Sequence, residues 1–291
     1  MAFPSQASNQ KWSTCLVKTS KYSCKIRSAA LGCLALIFAT ICHQLNAEEP
    51  PSGEEHELEE LGVNRYTAPS IAQIFKQLDD LKPLPFDQLK RDPAEVAGAS
   101  RQQKALLFGQ LIGDGFLLVE SERKNLVEDF GRVLIQHARA LGVGDRVMRH
   151  SASLTELGRR GDWPRMRQEL ITTQTDVEQA MVDLRDEKMA HLISLGGWLR
   201  GLEICAVTVE MDFSKKRAAV LARPELANYF ASELKTLPPT LAEAPLFGKI
   251  RGGLTALQPL LNKKPETLSR ADVTAIRTQA NQLNDLIRNA R

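Results

Sequence analysis

Apolar residues recur every three or four positions along most of the chain after residue 70, which is the spacing of amphipathic α-helices. In the stretch APSIAQIFKQLDDLKPLP, Ser70 is predicted to cap a helix that Pro83 ends. The same spacing continues from about Gln102 to Leu141, where it predicts either one long helix or two helices that meet near Ser121. Gly142 is expected to end this segment, because glycine is common directly after a helix.

The stretch LTELGRRGDWPRMRQEL, residues 154–170, carries the clearest signals of a turn between two helices. The first helix is expected to end within GRRG. Asp162 is expected to cap the second helix, and Pro164 is expected to lie in its first turn. The backbone N–H that proline lacks would have no partner within the helix at that position. This second helix is predicted to run from residue 163 towards Met211, with a bend near Gly196.

Prolines divide the rest of the chain into shorter helices. These are predicted over about 213–222, 225–235 and 243–258, with breaks at Pro224, Pro238-Pro239 and Pro259, before a last amphipathic helix over 269–289. Long runs of Val, Ile and Thr typical of strands do not occur. The predicted fold class is therefore all-α, a multi-helix bundle with a long central apolar helix. Residues 67–291 are expected to form a single domain.

The central helix is predicted from LISLGGWLRGLEICAVTV, residues 192–209, which is apolar on nearly every side. Its glycines have neither the spacing nor the preceding strand of a phosphate-binding loop. Four polar side chains argue against a membrane span: His191, Arg200, Glu203 and Glu210. Small residues at 194, 197, 201, 205 and 208 fall on one line of this helix, which predicts that a neighbouring backbone approaches closely.

Three segments share the pattern G-x-aliphatic-x-G: GQLIG (109–113), GWLRG (197–201) and GKIRG (248–252). A glycine inside a helix costs roughly 0.5–1 kcal/mol relative to alanine, so tight helix contacts are the expected compensation. We therefore predict that the glycines of these segments line close helix crossings: Gly109, Gly113, Gly197, Gly201, Gly248 and Gly252.

The first 47 residues have the pattern of a secretory signal peptide. They contain five basic and no acidic residues, followed by an apolar run from Ala29 to Cys42 and by Ala47 at the expected cleavage site. The apolar run is shorter than the roughly 17–25 residues of a spanning helix, so a retained anchor is the weaker alternative. Cleavage would leave Cys205 as the single cysteine, so no internal disulfide is expected.

The net charge of the chain changes from positive to negative once this leader is removed. The whole chain has a net charge of +3, but residues 48–291 contain 33 basic and 35 acidic residues, which gives −2. Nucleic-acid binding thereby loses its compositional support. Residues 48–66 are predicted to form a disordered acidic linker, because EEPPSGEEHELEELG holds seven glutamates and no Lys or Arg. A basic subregion is expected over 214–291, where 13 basic residues stand against 6 acidic ones.

A few polar residues inside the apolar segments are candidates for a ligand-binding site. Arg200 and Glu203 lie three positions apart, so they form either a self-satisfied ion pair or a recognition site. Asp114 lies on one line with Gln103, Gln110 and Ser121, which predicts a stripe that faces water. If that helix is central instead, an Asp114–Arg200 contact is expected. His191 completes the candidate set and lies four positions after Glu187, a spacing that suits a hydrogen bond better than a shared metal.

Catalytic and cofactor motifs are not found in the sequence. The histidines occur in no ExxH, HExxH or CxxCH pattern, and GxSxG is absent. No catalytic residues, metal ligands or cofactors are predicted. The sequence favours a non-catalytic binding protein of the periplasm or cell envelope with a protein partner there. The alternative is a small-ligand-binding protein or enzyme with a polar pocket around Asp114, Arg200, Glu203 and His191.

Overall fold

Twelve α-helices and four short 3₁₀ turns make up the regular structure of residues 71–184 and 186–290, which are the residues that the computed structural model describes. This part of the chain contains no strand, so the predicted all-α class is confirmed. The predicted signal peptide (1–47) and acidic linker (48–66) lie outside the described residues. The described residues belong to one compact unit.

The helices follow one another with short connections. They are α1 (Ile71–Asp80), α2 (Phe86–Leu89), α3 (Arg101–Glu120), α4 (Val127–Leu141), α5 (Gly144–Arg160), α6 (Trp163–Asp183), α7 (Glu187–Met211), α8 (Lys215–Ala218), α9 (Pro224–Glu233), α10 (Pro239–Ala242), α11 (Pro245–Leu261) and α12 (Arg270–Asn289).

The core is built around α3 and α7, which pack against each other along their lengths. In α7, 16 of 25 residues are buried, and in α3, 15 of 20 are buried. Helix α12 covers a further side of α7, while α4, α5 and α6 form a layer that begins on α3. Trp198 of α7 stacks on Phe230 of α9, with ring centroids 5.1 Å apart. Helix α7 is therefore the predicted central apolar helix, with protein on several sides.

Local signals in the sequence explain most of the helix ends. Gly142 and Gly161 adopt left-handed conformations, with φ of 86° and 70°, directly after α4 and α5. Asp162 Oδ1 accepts a hydrogen bond from the N–H of Arg165, as expected of a cap. Ser269 caps α12 together with Asp272, because each side chain bonds the backbone of the other residue. The break near Ser121 is also observed, so residues 101–141 form two helices.

The prediction of one helix from residue 163 to Met211 was wrong, because α6 ends at Asp183 and α7 begins at Glu187. No glycine or proline marks this break in the sequence. Helix α6 packs mainly against α5, whereas α7 enters the centre beside α3. Packing on different neighbours therefore overrides a sequence that has no local stop signal.

The predicted break at Pro259 was also wrong, because α11 continues through this residue to Leu261. A proline removes one backbone donor and disturbs the turn before it. At position 259 this affects only the last turn of the helix. Burial of Leu257 and Leu261 on the same face holds that turn in place.

Helix α7 is the one helix in the described ranges that is long and apolar enough to cross a membrane. Of the apolar window that meets this criterion, 78% is buried inside the protein. Its hydrophobic surface thus has protein neighbours in this structure, as in the core helix of a bundle.

Candidate functional site

Arg200 lies at the centre of a buried network of charged and polar groups, and its side chain is only 1% exposed. Its Nε donates to Asp114 Oδ1 at 2.6 Å, and its Nη1 donates to Glu203 Oε2 at 2.8 Å. Nη2 donates to the backbone carbonyl of Leu89 at the end of α2. Three of the predicted site residues therefore meet, and α3 is central enough for the Asp114–Arg200 contact.

A second arginine, Arg91, balances the charge of this network. Its Nε donates to Asp114 Oδ2 at 3.0 Å, and its Nη1 lies 3.9 Å from Glu203 Oε2. Two guanidinium groups thus face two carboxylates. Burial and the neighbouring Arg200 lower the pKa of Arg91 by more than Asp114 raises it. Burial also lowers the pKa of Arg200, but Asp114 and Glu203 outweigh it and raise that pKa overall.

Asn284 of α12 joins the network to two neighbouring helices. Its Nδ2 donates to Glu203 Oε2 at 2.8 Å and to the Leu199 carbonyl at 3.0 Å. Gln110 of α3 donates in turn to the Asn284 side-chain oxygen at 2.9 Å. Asn284 is fully buried, so these bonds replace its contacts with water. The network thereby fixes the register of α3, α7 and α12 relative to one another.

The predicted water-facing stripe on α3 was wrong. Gln103 and Gln110 are only 6% and 2% exposed, because this line of the helix faces α12. Gln103 Nε2 donates to the backbone carbonyls of Ile287 and Ala290 near the end of α12. A polar line in a sequence does not distinguish side chains that bond another helix from those that bond water.

His191 lies in a different cluster from the other three candidates. Its Nδ1 is 2.7 Å from the Tyr229 hydroxyl, and its Nε2 is 3.4 Å from Glu233 Oε2. Burial lowers the pKa of His191 despite Glu233, and burial raises the pKa of Tyr229. These contacts tie α7 to α9. The structure therefore does not bring His191 into the predicted polar pocket.

The close helix crossing lies between Gly109 of α3 and Gly197 of α7. A Cβ added at Gly109 would lie 1.9 Å from the Ile193 carbonyl oxygen and 2.7 Å from the Gly197 nitrogen. One added at Gly113 would lie 2.9 Å from Arg200 Cγ. Gly196, which the sequence analysis did not select, has the second closest approach, 2.1 Å from the Leu106 carbonyl oxygen.

The structure differs from the glycine prediction at Gly201, Gly248 and Gly252. A Cβ added at any of these positions would meet no atom within 4 Å. Gly201 instead lines a cavity of about 30 Å³ beside Trp198. On α11 the close approach occurs at Gly253, where an added Cβ would lie 2.4 Å from Leu283 Cδ2 of α12. The G-x-aliphatic-x-G pattern therefore predicted the correct helix, α11, but not the face of that helix that makes the close contact.

Sequence reasoning missed Arg91 and Asn284, although one of them left a signal. Asn284 follows Val273, Ile276 and Ala280 at the spacing of the buried face of α12, so it is a polar residue on an apolar stripe. Arg91 follows a short helix in a segment of irregular structure, and no periodicity marks it.

A further buried carboxylate, Glu120, closes the end of α3. Lys82 Nζ lies 2.7 Å from Glu120 Oε2, and Arg167 Nε lies 2.6 Å from Oε1. Burial raises the pKa of Glu120 by more than Lys82 and Arg167 lower it. This cluster connects α3, α6 and the segment after α1, so its position indicates a structural role.

An apolar cavity that is partly open to solvent lies between α3, α4, α5 and α6. Its volume is about 210 Å³, and each of these helices contributes aliphatic side chains, among them Leu118, Leu134, Leu154 and Met166. Glu128 and Arg132 lie at its polar edge. This cavity does not include the charge network.

Comparison of the chain with protein-family models, curated proteins and solved structures finds no match. Function has to be argued from the residues themselves. Within the described ranges, no three His, Cys, Asp or Glu side chains lie together in a way that would hold a metal ion. Cys205 is buried, and burial raises the pKa of its thiol to about 12, which leaves little thiolate at neutral pH.

A cluster around His150 gives a pH-dependent prediction for the α5–α6 hairpin. His150 Nδ1 lies 2.8 Å from Glu169 Oε1, and its Nε2 lies 3.1 Å from Asp176 Oδ2, to which Arg149 also donates. Only protonated imidazole has two N–H donors for these two carboxylates. Burial lowers the pKa of His150, but the hydrogen bonds to Glu169 and Asp176 outweigh it, so the pKa lies above its ordinary 6.5.

Because the folded pKa is raised, the contribution of His150 to stability is complete below pH 6.5 and is lost as the pH rises through the folded value. We expect His150→Gln to lower the melting temperature at pH 5.5 and to change it much less at pH 9. Thermal unfolding of both proteins across this range checks the prediction. An equal difference at the two pH values would contradict it.

Proposed function

We propose that this protein is an exported helical bundle that acts by binding a partner in the periplasm or cell envelope and not by catalysis. The observation that carries the proposal is the burial of Arg200 and the pairing of its guanidinium group with Asp114 and Glu203. Arg200, Asp114 and Glu203 are the strongest polar candidates in the chain, and they are bonded to one another in the core. With Asn284 they connect α3, α7 and α12, which leaves the surface for recognition.

The rival function, a ligand pocket or active site formed by these residues, would need polar groups that a substrate can reach. The Arg200 side chain is 1% exposed, and all three of its nitrogens already donate to protein oxygens. A substrate would have to break a buried ion pair to bind there, which is strongly unfavourable. His191 lies with Tyr229 and Glu233, so it would not assist at that centre.

Export is supported by residues 1–47, whose basic leader, apolar run and small residue before Glu48 are typical of a cleaved signal peptide. The net charge of −2 after cleavage favours a protein or envelope partner over nucleic acid.

Fractionation of the source cell, followed by N-terminal sequencing, tests export. We expect the protein outside the cytoplasm with Glu48 as its first residue. The variant Leu36→Arg breaks the apolar run and serves as the control, because it should retain the full chain inside the cell. Recovery of wild-type protein in the cytoplasm with the leader intact would overturn the export part of the proposal.

Cross-linking in intact cells tests the binding role. We expect one discrete complex with an envelope protein, formed equally by the wild type and by the double variant Arg200→Met/Asp114→Leu, provided that circular dichroism shows the variant to be folded. Loss of the complex in the folded double variant would favour the rival function at the charge network.

A further inference from the structure

The cavity between α3, α4, α5 and α6 has the properties of a small ligand site. Its volume of about 210 Å³ is large enough for a molecule bigger than benzene, which a cavity of roughly 150 Å³ can hold. Leu118, Leu134, Leu154 and Met166 line it and are each 9% exposed or less. Aliphatic side chains offer water no hydrogen bonds, so an apolar occupant is favoured over water.

Gly131 is one of the residues that leave space in this cavity. Gly131 lies in the first half of α4 and lines the cavity, and a Cβ added there would meet no atom within 4 Å. At Gly115 of α3, by contrast, an added Cβ would lie 2.9 Å from the ring of Phe130. The Phe130 ring therefore occupies the space beside the Cα of Gly115, whereas the space beside the Cα of Gly131 is empty.

The polar groups at the edge of the cavity are already satisfied within the protein. Glu128 and Arg132 face each other at 3.6 Å across one helix turn. The Ser151 and Thr155 hydroxyls donate to carbonyls of their own helix, at 2.7 and 2.8 Å. The edge carries one positive and one negative charge, so it offers no net attraction to an ion. An uncharged ligand suits such an opening.

We propose that this cavity binds a compact, uncharged hydrophobic molecule about the size of an alkylbenzene. The ligand enters past Glu128 and Arg132 and contacts aliphatic side chains of all four helices. This inference goes beyond the proposed function, because it adds a small hydrophobic ligand to the proposed envelope partner. The site is separate from the charge network and needs none of its residues.

The purified protein, titrated with ethylbenzene, provides the test. We expect saturable binding, a melting temperature that rises with ligand concentration, and NMR shift changes concentrated at methyl groups of Leu118, Leu134 and Leu154. Gly131→Leu should fill the cavity and abolish the ligand-dependent rise. Gly248→Leu is the matched control, because Gly248 is an open helical glycine on α11, away from the cavity, and this variant should bind as the wild type does.

Gly131→Ala separates loss of binding from loss of folding. Alanine favours the helix over glycine, so this variant should melt ~2–4 °C above the wild type while binding ethylbenzene more weakly. Absence of binding to the wild type, binding retained in folded Gly131→Leu, or shift changes centred elsewhere would each overturn the inference. These measurements use purified protein, so their failure would leave the proposals of export and of an envelope partner standing.

Discussion

Gly109→Ala is expected to lower the free energy of unfolding by about 3 kcal/mol or more, the upper end of the range for overpacked cores. The added methyl group would lie 1.9 Å from the Ile193 carbonyl oxygen and 2.7 Å from the Gly197 nitrogen. Both neighbours are backbone atoms, so no side chain can rotate away and α3 and α7 must separate. Chemical denaturation followed by circular dichroism measures the loss. Gly196→Ala, whose methyl would meet the Leu106 carbonyl oxygen at 2.1 Å, should behave in the same way.

The same substitution at an open glycine provides the control. Gly201→Ala and Gly248→Ala place a methyl group where no atom lies within 4 Å. Each should raise the free energy of unfolding by about 0.5–1 kcal/mol, because alanine is the better helix former. If Gly109→Ala were as stable as Gly248→Ala, the two central helices would not cross as closely as described.

Arg200→Met is expected to lower the free energy of unfolding by about 3–5 kcal/mol. The substitution roughly keeps the volume of the side chain but leaves Asp114 with Arg91 alone, at 3.0 Å, and leaves Glu203 with the uncharged donor of Asn284 and with Arg91 at 3.9 Å. It also removes the donor to the Leu89 carbonyl. A carboxylate in the core that loses its guanidinium partner retains its desolvation penalty without the compensating attraction.

A double variant distinguishes a lost ion pair from lost packing. Asp114→Leu added to Arg200→Met removes one charge of each sign and leaves Arg91 to face Glu203. We expect the double variant to be more stable than the sum of the two single losses predicts, with a coupling of about 1–3 kcal/mol. Strict additivity would show that Arg200 and Asp114 contribute independently of each other.

Sequence alone was sufficient for features that depend on neighbouring residues. The all-α class, the α5–α6 hairpin and the cap at Asp162 follow from periodicity and from cap residues, which act over one or two turns. The sequence also predicted that the segments GQLIG (109–113) and GWLRG (197–201) lie at a close helix crossing. Small residues at this spacing allow two backbones to meet, but they do not specify the partner. The third segment with this pattern, GKIRG on α11, has no backbone close to its glycines at 248 and 252, which are open.

The polar site was only partly predictable, because its members come from distant parts of the chain. Arg200 and Glu203 share one helix, so their pairing could be anticipated. Asp114 joins them only because α3 is central, and the hydrophobic pattern of α3 equally allowed a face towards water. Arg91 enters from irregular structure without any signal. His191 shares α7 with Arg200 but points to a different neighbour, α9, which sequence distance does not reveal.

The bond between Gln110 and Asn284 joins residues 174 positions apart, and α12 covers α7 only after nearly all of the described chain has been made. During synthesis, the emerging apolar segments of α3 and α7 lack the surface that shields them. Contacts of such long range form slowly, and unshielded apolar segments attract chaperones or aggregate. The contact of α12 with α7 can therefore form only after residues 270–289 have been synthesised.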